Sequence, residues 1–107
     1  MVDLPTPISA YFEADTRDGD AVVQCFTETA VVKDEGHTYS GREAIRRWKT
    51  DSTAKYTYVV EPFAIATEGD RTLVTSHLTG NFPGRSVDLR YFFVLEGDKI
   101  AGLEITL

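Results

Sequence analysis

Cysteine, histidine and positive charge are scarce in this sequence, and each shortage excludes a class of function. The only cysteine is Cys25, so no internal disulfide can form and nothing indicates an oxidising compartment. The two histidines, His37 and His77, lie far apart and lack metal-ligand spacing. Acidic residues outnumber basic ones by 17 to 11, which gives a net charge of −6. Nucleic acid and anionic membrane are therefore not expected as main partners, because both require a basic surface.

Long apolar runs and cofactor motifs are also missing. No stretch approaches the roughly 18 apolar residues of a membrane span. Residues 1–5 lack the basic and apolar blocks of a signal peptide. The sequence contains no P-loop, no G-x-G-x-x-G motif and no nucleophile elbow. We therefore expect a soluble cytoplasmic protein that uses no cofactor and binds no metal.

What is present is the composition of one globular domain. The 107 residues are 42% hydrophobic and 26% charged, which suits a chain with one buried core. The pattern is helical in the first half and strand-like in the second, an order typical of α+β domains. The prediction is a single domain over residues 1–107.

Three helices are predicted in the first half. The first spans about 7–18, and the residues on its inner face are spaced i, i+3, i+4 and i+7. They are Ile8, Tyr11, Phe12 and Asp15. A short second helix covers about 21–26. The third begins at the S-x-x-E capping box of residues 40–43, buries Trp48 and turns Lys49 to water.

The strands are predicted on both sides of the third helix. A short strand at about 29–34 precedes it, and four long strands with tight turns follow as a meander. These four are expected at about 56–67, 71–82, 86–95 and 99–107. The strand at 86–95 is apolar on both faces, so each face needs a cover. The helices cover one, and a second subunit would cover the other; a few exposed aromatic side chains are the simpler alternative.

Five motifs occur along the chain in a characteristic order. They are YFE at 11–13, DGD at 18–20, FTETAVVKD at 26–34, YSGREAI at 39–45 and EGDKI at 96–100. As a set they resemble the nuclear transport factor 2-like superfamily, with its SnoaL-like polyketide cyclases and ketosteroid isomerases. The resemblance covers nearly the whole chain. It implies a cystatin-like, cone-shaped fold in which a curved antiparallel sheet wraps around three N-terminal helices and encloses a pocket. The reaction does not follow, since this fold serves enzymes, binding proteins and assembly domains.

Asp34 is the first candidate for chemistry. It ends a predicted strand and shares a face with Ala30 and Val32, where a carboxylate is unusual. Burial there would raise its pKa toward the range of a general base. By the resemblance, the proton-shuttling aspartate of ketosteroid isomerases has a similar placement. The alternative is an aspartate that caps the turn before Gly36.

The hairpin around Pro83 and Gly84 predicts a second group of site residues. With a tight turn, His77 lies opposite Arg90, and the two share a sheet face with other candidates. That face carries His77, Asp88, Arg90 and Phe92. The geometry of the resembling family turns this face to the pocket, together with Leu103 and Ile105. Arg90 beside His77 in an apolar cavity could hold a carbonyl or enolate oxygen.

Simpler interpretations of this second group stay open. Asp88 and Arg90 could neutralise each other as a structural ion pair. His77 alone is more often a core or interface residue than a catalyst.

Aromatic residues complete the predicted pocket. They are Tyr11, Phe12, Trp48 and Tyr58, and a plain core position is the simpler interpretation of Trp48. Ketosteroid isomerases place an oxyanion-holding tyrosine on helix one, where this chain has Phe12 with Tyr11 one position away. They also place a protonated acid where this chain has Arg90. Limonene-epoxide-hydrolase relatives use a different order of arginine and aspartate, so both relatives differ from this chain in their catalytic sets.

Three functions remain open at this stage. The first is a cofactor-independent isomerase or cyclase in which Asp34 removes a proton next to the carbonyl of a small apolar compound, and Arg90, with His77 or a tyrosine, stabilises the enolate. The second is a module that binds a hydrophobic ligand without chemistry. The third is a dimeric interaction domain whose exposed sheet face is the functional surface.

Overall fold

The computed structural model describes residues 3–55, 58–80 and 86–107, with the side chains of 52–55 excepted. These residues form three helices and one sheet of six strands, which confirms the α+β prediction. The helices are α1 (Thr6–Ala14), α2 (Gly19–Val23) and α3 (Arg42–Lys55). The strands are β1 (Phe26–Asp34), β2 (His37–Ser40), β3 (Tyr58–Glu68), β4 (Arg71–Gly80), β5 (Ser86–Glu96) and β6 (Lys99–Thr106).

The helix ends follow local chemistry. Helix α1 begins at Thr6 without a side-chain cap, and a proline in its first turn fixes φ for helical entry. Helix α2 is capped by Asp18, whose carboxylate accepts a 2.8 Å hydrogen bond from the Ala21 N–H. At the start of α3, the guanidinium of Arg42 donates two hydrogen bonds, of 2.8 and 3.0 Å, to the carbonyl of Phe26. Within the described ranges, no helix is long and apolar enough to cross a membrane.

The sheet is curved and unclosed, with the strand order β2-β1-β6-β5-β4-β3. Strands β3 to β6 form the predicted antiparallel meander, and β1 returns to lie parallel to β6. The register shifts between Pro62 and Ala64 and again between Val94 and Leu95. Such bulges bend a strand and increase its twist, so the sheet folds around the helices.

Two features of the first half differ from the prediction. Strand β2, at His37–Ser40, was not predicted because it is short, polar and largely exposed. Lys49 was predicted to face water and is instead 4% exposed. It follows Trp48 and lies one helical turn after Ile45, so its stem leaves the same inner side of α3.

An aromatic cluster forms the centre of the core between α1 and the sheet. Tyr11 makes edge-on contacts with Phe12, Phe26 and Phe93, with ring centroids 5.2 to 5.9 Å apart. Phe12 also packs edge-on against Tyr91 at 5.2 Å. Edge-to-face pairs of this kind add to the stabilisation from buried area. Below this cluster, the inner face of the sheet is left open as a cavity.

Candidate functional site

A cavity of about 680 Å³ lies between the helices and the concave face of the sheet. A volume of this size fits a small organic molecule. Its wall is mostly aromatic and aliphatic, with a few charged groups. The lining residues are Tyr11, Asp34, Glu35, Gly36, Trp48, Lys49, Tyr58, Leu78, Val87, Leu89, Tyr91, Ile105, Thr106 and Leu107.

Asp34 contributes a carboxylate to this wall. It ends β1 and pairs with Ile105 of β6, so it lies on the inner face as predicted from the strand alternation. Its Oδ2 accepts a 2.9 Å hydrogen bond from the indole N–H of Trp48. Among the described residues no other hydrogen bond reaches this carboxylate. One oxygen is therefore fixed, while the other can accept a proton.

The turn after Asp34 forms part of the cavity rim. Glu35 has φ of 53° and Gly36 has φ of 78°, so both occupy the left-handed region. This conformation is strained for a glutamate and easy for glycine. The Glu35 carbonyl oxygen lies 3.0 Å from Nδ1 of His37, which ties the turn to β2. The tight turn ends β1 directly at the cavity.

Lys49 and Asp15 form a buried ion pair at the cavity. Their side chains are 5% and 6% exposed, and Nζ of Lys49 lies 2.5 Å from Oδ1 of Asp15. The same ammonium lies 4.4 Å from the centre of the Trp48 ring and 5.8 Å from that of Tyr11. Burial alone would lower the pKa of Lys49, but the Asp15 charge and hydrogen bonds to Asp15 and Tyr58 raise it overall. Lys49 is therefore a cation and a hydrogen-bond donor at neutral pH.

Three tyrosines complete the polar part of the wall. The Lys49 ammonium donates a 3.4 Å hydrogen bond to the hydroxyl of Tyr58. Burial, as the largest cause, raises the pKa of Tyr11, Tyr58 and Tyr91. Each hydroxyl therefore keeps its proton at neutral pH and can donate a hydrogen bond.

The structure brings together five of the predicted site residues. Asp34, Tyr11, Trp48, Tyr58 and Ile105 all line the one cavity. Trp48 is 4% exposed and also holds Asp34, so it is both a core residue and a part of the site.

The second predicted group lies on the opposite face of the sheet, and the expectation that it faces the pocket is wrong. His77 and Asp88 are exposed and pair with each other at 2.6 Å. Arg90 is also exposed, and its guanidinium donates hydrogen bonds of 2.8 and 3.3 Å to the carbonyl of Leu107. The inward residues of β4 and β5 are the apolar ones, such as Leu78 and Leu89.

The register of that hairpin also differs from the prediction. His77 pairs with Asp88, not with Arg90, a shift of two residues. The predicted turn at Pro83 and Gly84 lies outside the described residues, and the last described pair is Thr79 with Ser86. A shift of two preserves the faces, so the error in the site came from the choice of the inner face.

Three further predicted ligand contacts lie away from the cavity. Phe12 packs within the aromatic cluster, and Leu103 is 3% exposed in the core. Phe92 lies on the outer face, where the Arg71 guanidinium stacks 4.3 Å from its ring centre.

The sequence interpretation missed the Asp15–Lys49 pair, although one signal was available. Asp15 was placed on the inner face of the first helix, beside Ile8 and Tyr11. A carboxylate on an apolar face requires a partner, because burying an unpaired charge is costly. That requirement alone does not identify Lys49 among the several basic residues of the next long helix.

The fold and the cavity define a class of protein, the cone-shaped α+β domain that encloses a small-molecule pocket. The model of the SnoaL-like domain family matches residues 8–102. The chain therefore belongs to the SnoaL-like domain family, which confirms the resemblance seen in the sequence motifs. No curated protein sequence matches the chain.

Solved structures show the same architecture. A candidate polyketide cyclase of Sinorhizobium meliloti is 41% identical, with 97% of this chain and 96% of that chain covered and a TM-score of 0.91. A protein of Catenulispora acidiphila with a ketosteroid isomerase-like fold, solved with trimethylamine, is 21% identical, with 98% and 87% covered and a TM-score of 0.87. The epoxide hydrolase/cyclase-like enzyme SalBIII, from polyether salinomycin formation, is 23% identical, with 92% and 85% covered and a TM-score of 0.76. The last two likenesses concern the fold alone.

Proposed function

We propose that this protein catalyses a cofactor-independent proton transfer, of isomerase or cyclase type, on a small, largely apolar carbonyl compound. Asp34 is the general base. The observation that carries the proposal is a carboxylate at an apolar cavity wall whose Oδ2 is fixed by Trp48 at 2.9 Å. A base held in one orientation needs no reorganisation before it accepts a proton.

The proposed reaction balances without any co-reactant. Asp34 takes a proton from the carbon next to the carbonyl, and the electron pair of the broken C–H bond moves into an enolate. In an isomerisation, the proton returns to a different carbon. In a cyclisation, the enolate carbon forms a C–C bond to a second carbonyl of the same molecule, and the resulting alkoxide takes the proton. Both outcomes regenerate the Asp34 carboxylate.

Deuterium exchange tests this proposal without knowledge of the natural substrate. The probe is 2-tetralone, a small neutral ketone, incubated in D2O and followed by proton NMR. We expect the wild-type protein to accelerate exchange at the carbon next to a carbonyl. Asp34→Asn should reduce the rate by at least about a hundredfold, the usual contribution of a general base. The exposed turn variant Asp70→Asn is the matched control and should retain the rate. Equal rates in wild type and Asp34→Asn would remove the general-base role.

A binding module for a hydrophobic ligand is the second candidate. It is favoured by the pairing of charged groups in the wall, Lys49 with Asp15 and Asp34 with Trp48. The exposed position of Arg90 also removes the enolate-stabilising group that the sequence had suggested. Saturable binding of 2-tetralone without accelerated exchange would favour this alternative.

We also propose that the protein acts in the cytoplasm as a homodimer formed through the outer sheet face. Two exposed apolar side chains on β3 support this, Val59 at 70% and Phe63 at 53% exposed. The charged groups of the same face pair with each other, as in Arg71 with Glu104 at 3.2 Å. A face with internally paired charges and exposed apolar groups suits a second copy of itself.

A further inference from the structure

We infer that Tyr58 and Lys49, the latter paired with Asp15, form the oxygen-binding end of the cavity and select a neutral carbonyl ligand over an anionic one. This inference rests on the proposed function, because it assigns the group that would hold the oxygen of the enolate. It names Tyr58 as the donor to the ligand, and Lys49 and Asp15 as positioning residues.

The direction of the hydrogen bonds supports Tyr58 as the donor. An ammonium group can only donate, so the Tyr58 hydroxyl accepts in its 3.4 Å contact with Lys49. Its own hydrogen then points away from Lys49, and Tyr58 lines the cavity. A hydroxyl that accepts from a cation is a stronger donor, because hydrogen bonds in a chain polarise one another. The polarised hydroxyl is suited to an oxygen that gains negative charge during reaction.

The hydrogen-bonded group of Lys49 and Tyr58 lies near Asp34, which supports its role in binding the oxygen of the same ligand. The indole of Trp48 donates its N–H to Asp34 at 2.9 Å, while the Lys49 ammonium lies 4.4 Å from the ring centre. The base and the cation are thus separated by a single aromatic ring. A carbonyl oxygen and its neighbouring C–H group are also separated by a short molecular distance. Asp34 and Tyr58 line the same cavity, so one ligand that fills it can contact both.

The charges of the wall support selection of a neutral ligand. Asp15 neutralises Lys49 at 2.5 Å, with both side chains buried. Asp34 and Glu35 add two carboxylates that no described cation faces within salt-bridge distance. A carboxylate ligand would meet this negative charge in a weakly screened cavity. A neutral ketone would not be repelled by this charge. The negative charge of its enolate would develop only during the reaction, next to the Tyr58 hydroxyl.

The first test measures the ionisation of 2-naphthol in the cavity by its ultraviolet absorption. It is performed in the Asp34→Asn background, which removes the competing carboxylate and makes the result independent of the general base. The pKa of the bound naphthol in this background is the reference value. Adding Tyr58→Phe, or the double change Asp15→Asn and Lys49→Met, should raise that pKa by at least about one unit, a tenfold change in the ionisation constant. An unchanged pKa in both variants would overturn the inference.

Two controls separate a role at the site from a role in folding. Tyr39→Phe keeps the ring that packs 6.1 Å from the Trp48 ring and removes a hydroxyl outside the cavity wall. Lys33→Met removes an exposed lysine of β1. Both should leave the naphthol pKa unchanged. The double variant contains no unpaired buried charge, so its fold, checked by circular dichroism, should persist where a single lysine change could disturb it.

The second test compares binding of 2-naphthol with that of 2-naphthoate, its carboxylate analogue. The wild-type protein should bind the naphthol at least about tenfold more tightly. Asp15→Asn removes one negative charge next to the cavity, so it should tighten naphthoate binding by about tenfold and leave naphthol binding nearly unchanged. Naphthoate affinity that does not respond to Asp15→Asn would contradict the charge argument.

The exchange assay distinguishes the two proposals from each other. If wild-type exchange is lost in Asp34→Asn but kept in both Tyr58→Phe and the double variant, the general base stands and the present inference fails. If no ketone exchanges but the naphthol pKa responds as stated, the oxygen-binding end stands and the proposed reaction fails. A loss in kcat with a nearly unchanged KM in Tyr58→Phe would support donation to the developing enolate.

Discussion

Lys49 illustrates at the residue scale how a side chain that looks solvent-facing becomes part of a site. Its neighbours on α3, Arg46 and Arg47, are exposed and pair with Glu43 at 2.8 and 3.7 Å. From its sequence, Lys49 could belong to the same solvent-exposed face of α3 as these two arginines. Lys49 instead turns inward and pairs with Asp15, the residue that follows the end of α1. Propensity and spacing carry no information on such a partner, so this part of the site required coordinates.

The buried groups predict a loss of stability at alkaline pH. The pKa of Lys49 is raised above its ordinary value of 10.5, so above that pH the folded chain retains a proton that the unfolded chain has lost. The unfolding free energy then falls with pH, by up to about 1.4 kcal/mol per pH unit for each such group. Tyr11, Tyr58 and Tyr91 act in the same direction, because burial raises their pKa as well.

Urea unfolding between about pH 9 and pH 11.5 measures this effect. The double change Asp15→Asn and Lys49→Met should flatten the fall by the lysine share, while the exposed Lys33→Met should retain the wild-type slope. Identical slopes in all three proteins would show that Lys49 does not hold its proton more strongly in the folded state.

At the scale of elements, the long strands and the apolar faces of α1 and α3 were predictable, and the short elements were less so. The meander β3 to β6 followed from long β-rich runs separated by Gly-containing turns. Strand β2 has four residues and little apolar character, so no periodicity could reveal it. The inner face of β5 was misjudged because both of its faces carry aromatic side chains, and alternation alone cannot rank them. Asp34 was placed correctly because its strand alternates cleanly.

The contact between α2 and α3 provides a prediction for an element. A Cβ on Gly19 would lie 2.9 Å from Oγ1 of Thr50 and 3.1 Å from the carbonyl oxygen of Arg46. The helices would have to separate, so Gly19→Ala should lower the unfolding free energy by about 1–3 kcal/mol. Thermal unfolding measures the change.

Gly102 of β6 is the matched control for this substitution. A Cβ there would meet Val94 at 3.6 Å, an ordinary van der Waals contact. Gly102→Ala should therefore change the melting temperature little. Equal effects of the two alanines would show that the close approach of α2 to α3 is not the cause.

For the whole molecule, the motif set was sufficient to predict the cone and its pocket, and the family match agrees with it. The orientation of the sheet faces was not determined by those motifs. It depends on which face the helices cover, a property of long-range packing and not of any one segment. The homodimer proposed for the outer face likewise depends on the completed sheet.

If the homodimer forms through the outer sheet face, a charge introduced on that face should separate the two subunits. Sedimentation should give twice the mass of one chain for the wild-type protein. Val59→Lys places a charge on the exposed apolar part of β3, and two such charges would meet in a symmetric pair. We expect this variant to be monomeric. Thr67→Lys, an exposed position near the end of the same strand, should remain dimeric; a wild-type monomer would contradict the proposal.

The parallel pairing of β1 with β6 has a consequence for the order of events during synthesis. Asp34 pairs with Ile105, about seventy residues later in the chain. A nascent chain that has emerged only as far as β4 therefore has no neighbour on that side of β1, and the cavity wall is incomplete. Contacts between such distant segments form late, because closing a long loop costs entropy. Ligand capture on the ribosome is therefore not expected before β6 emerges.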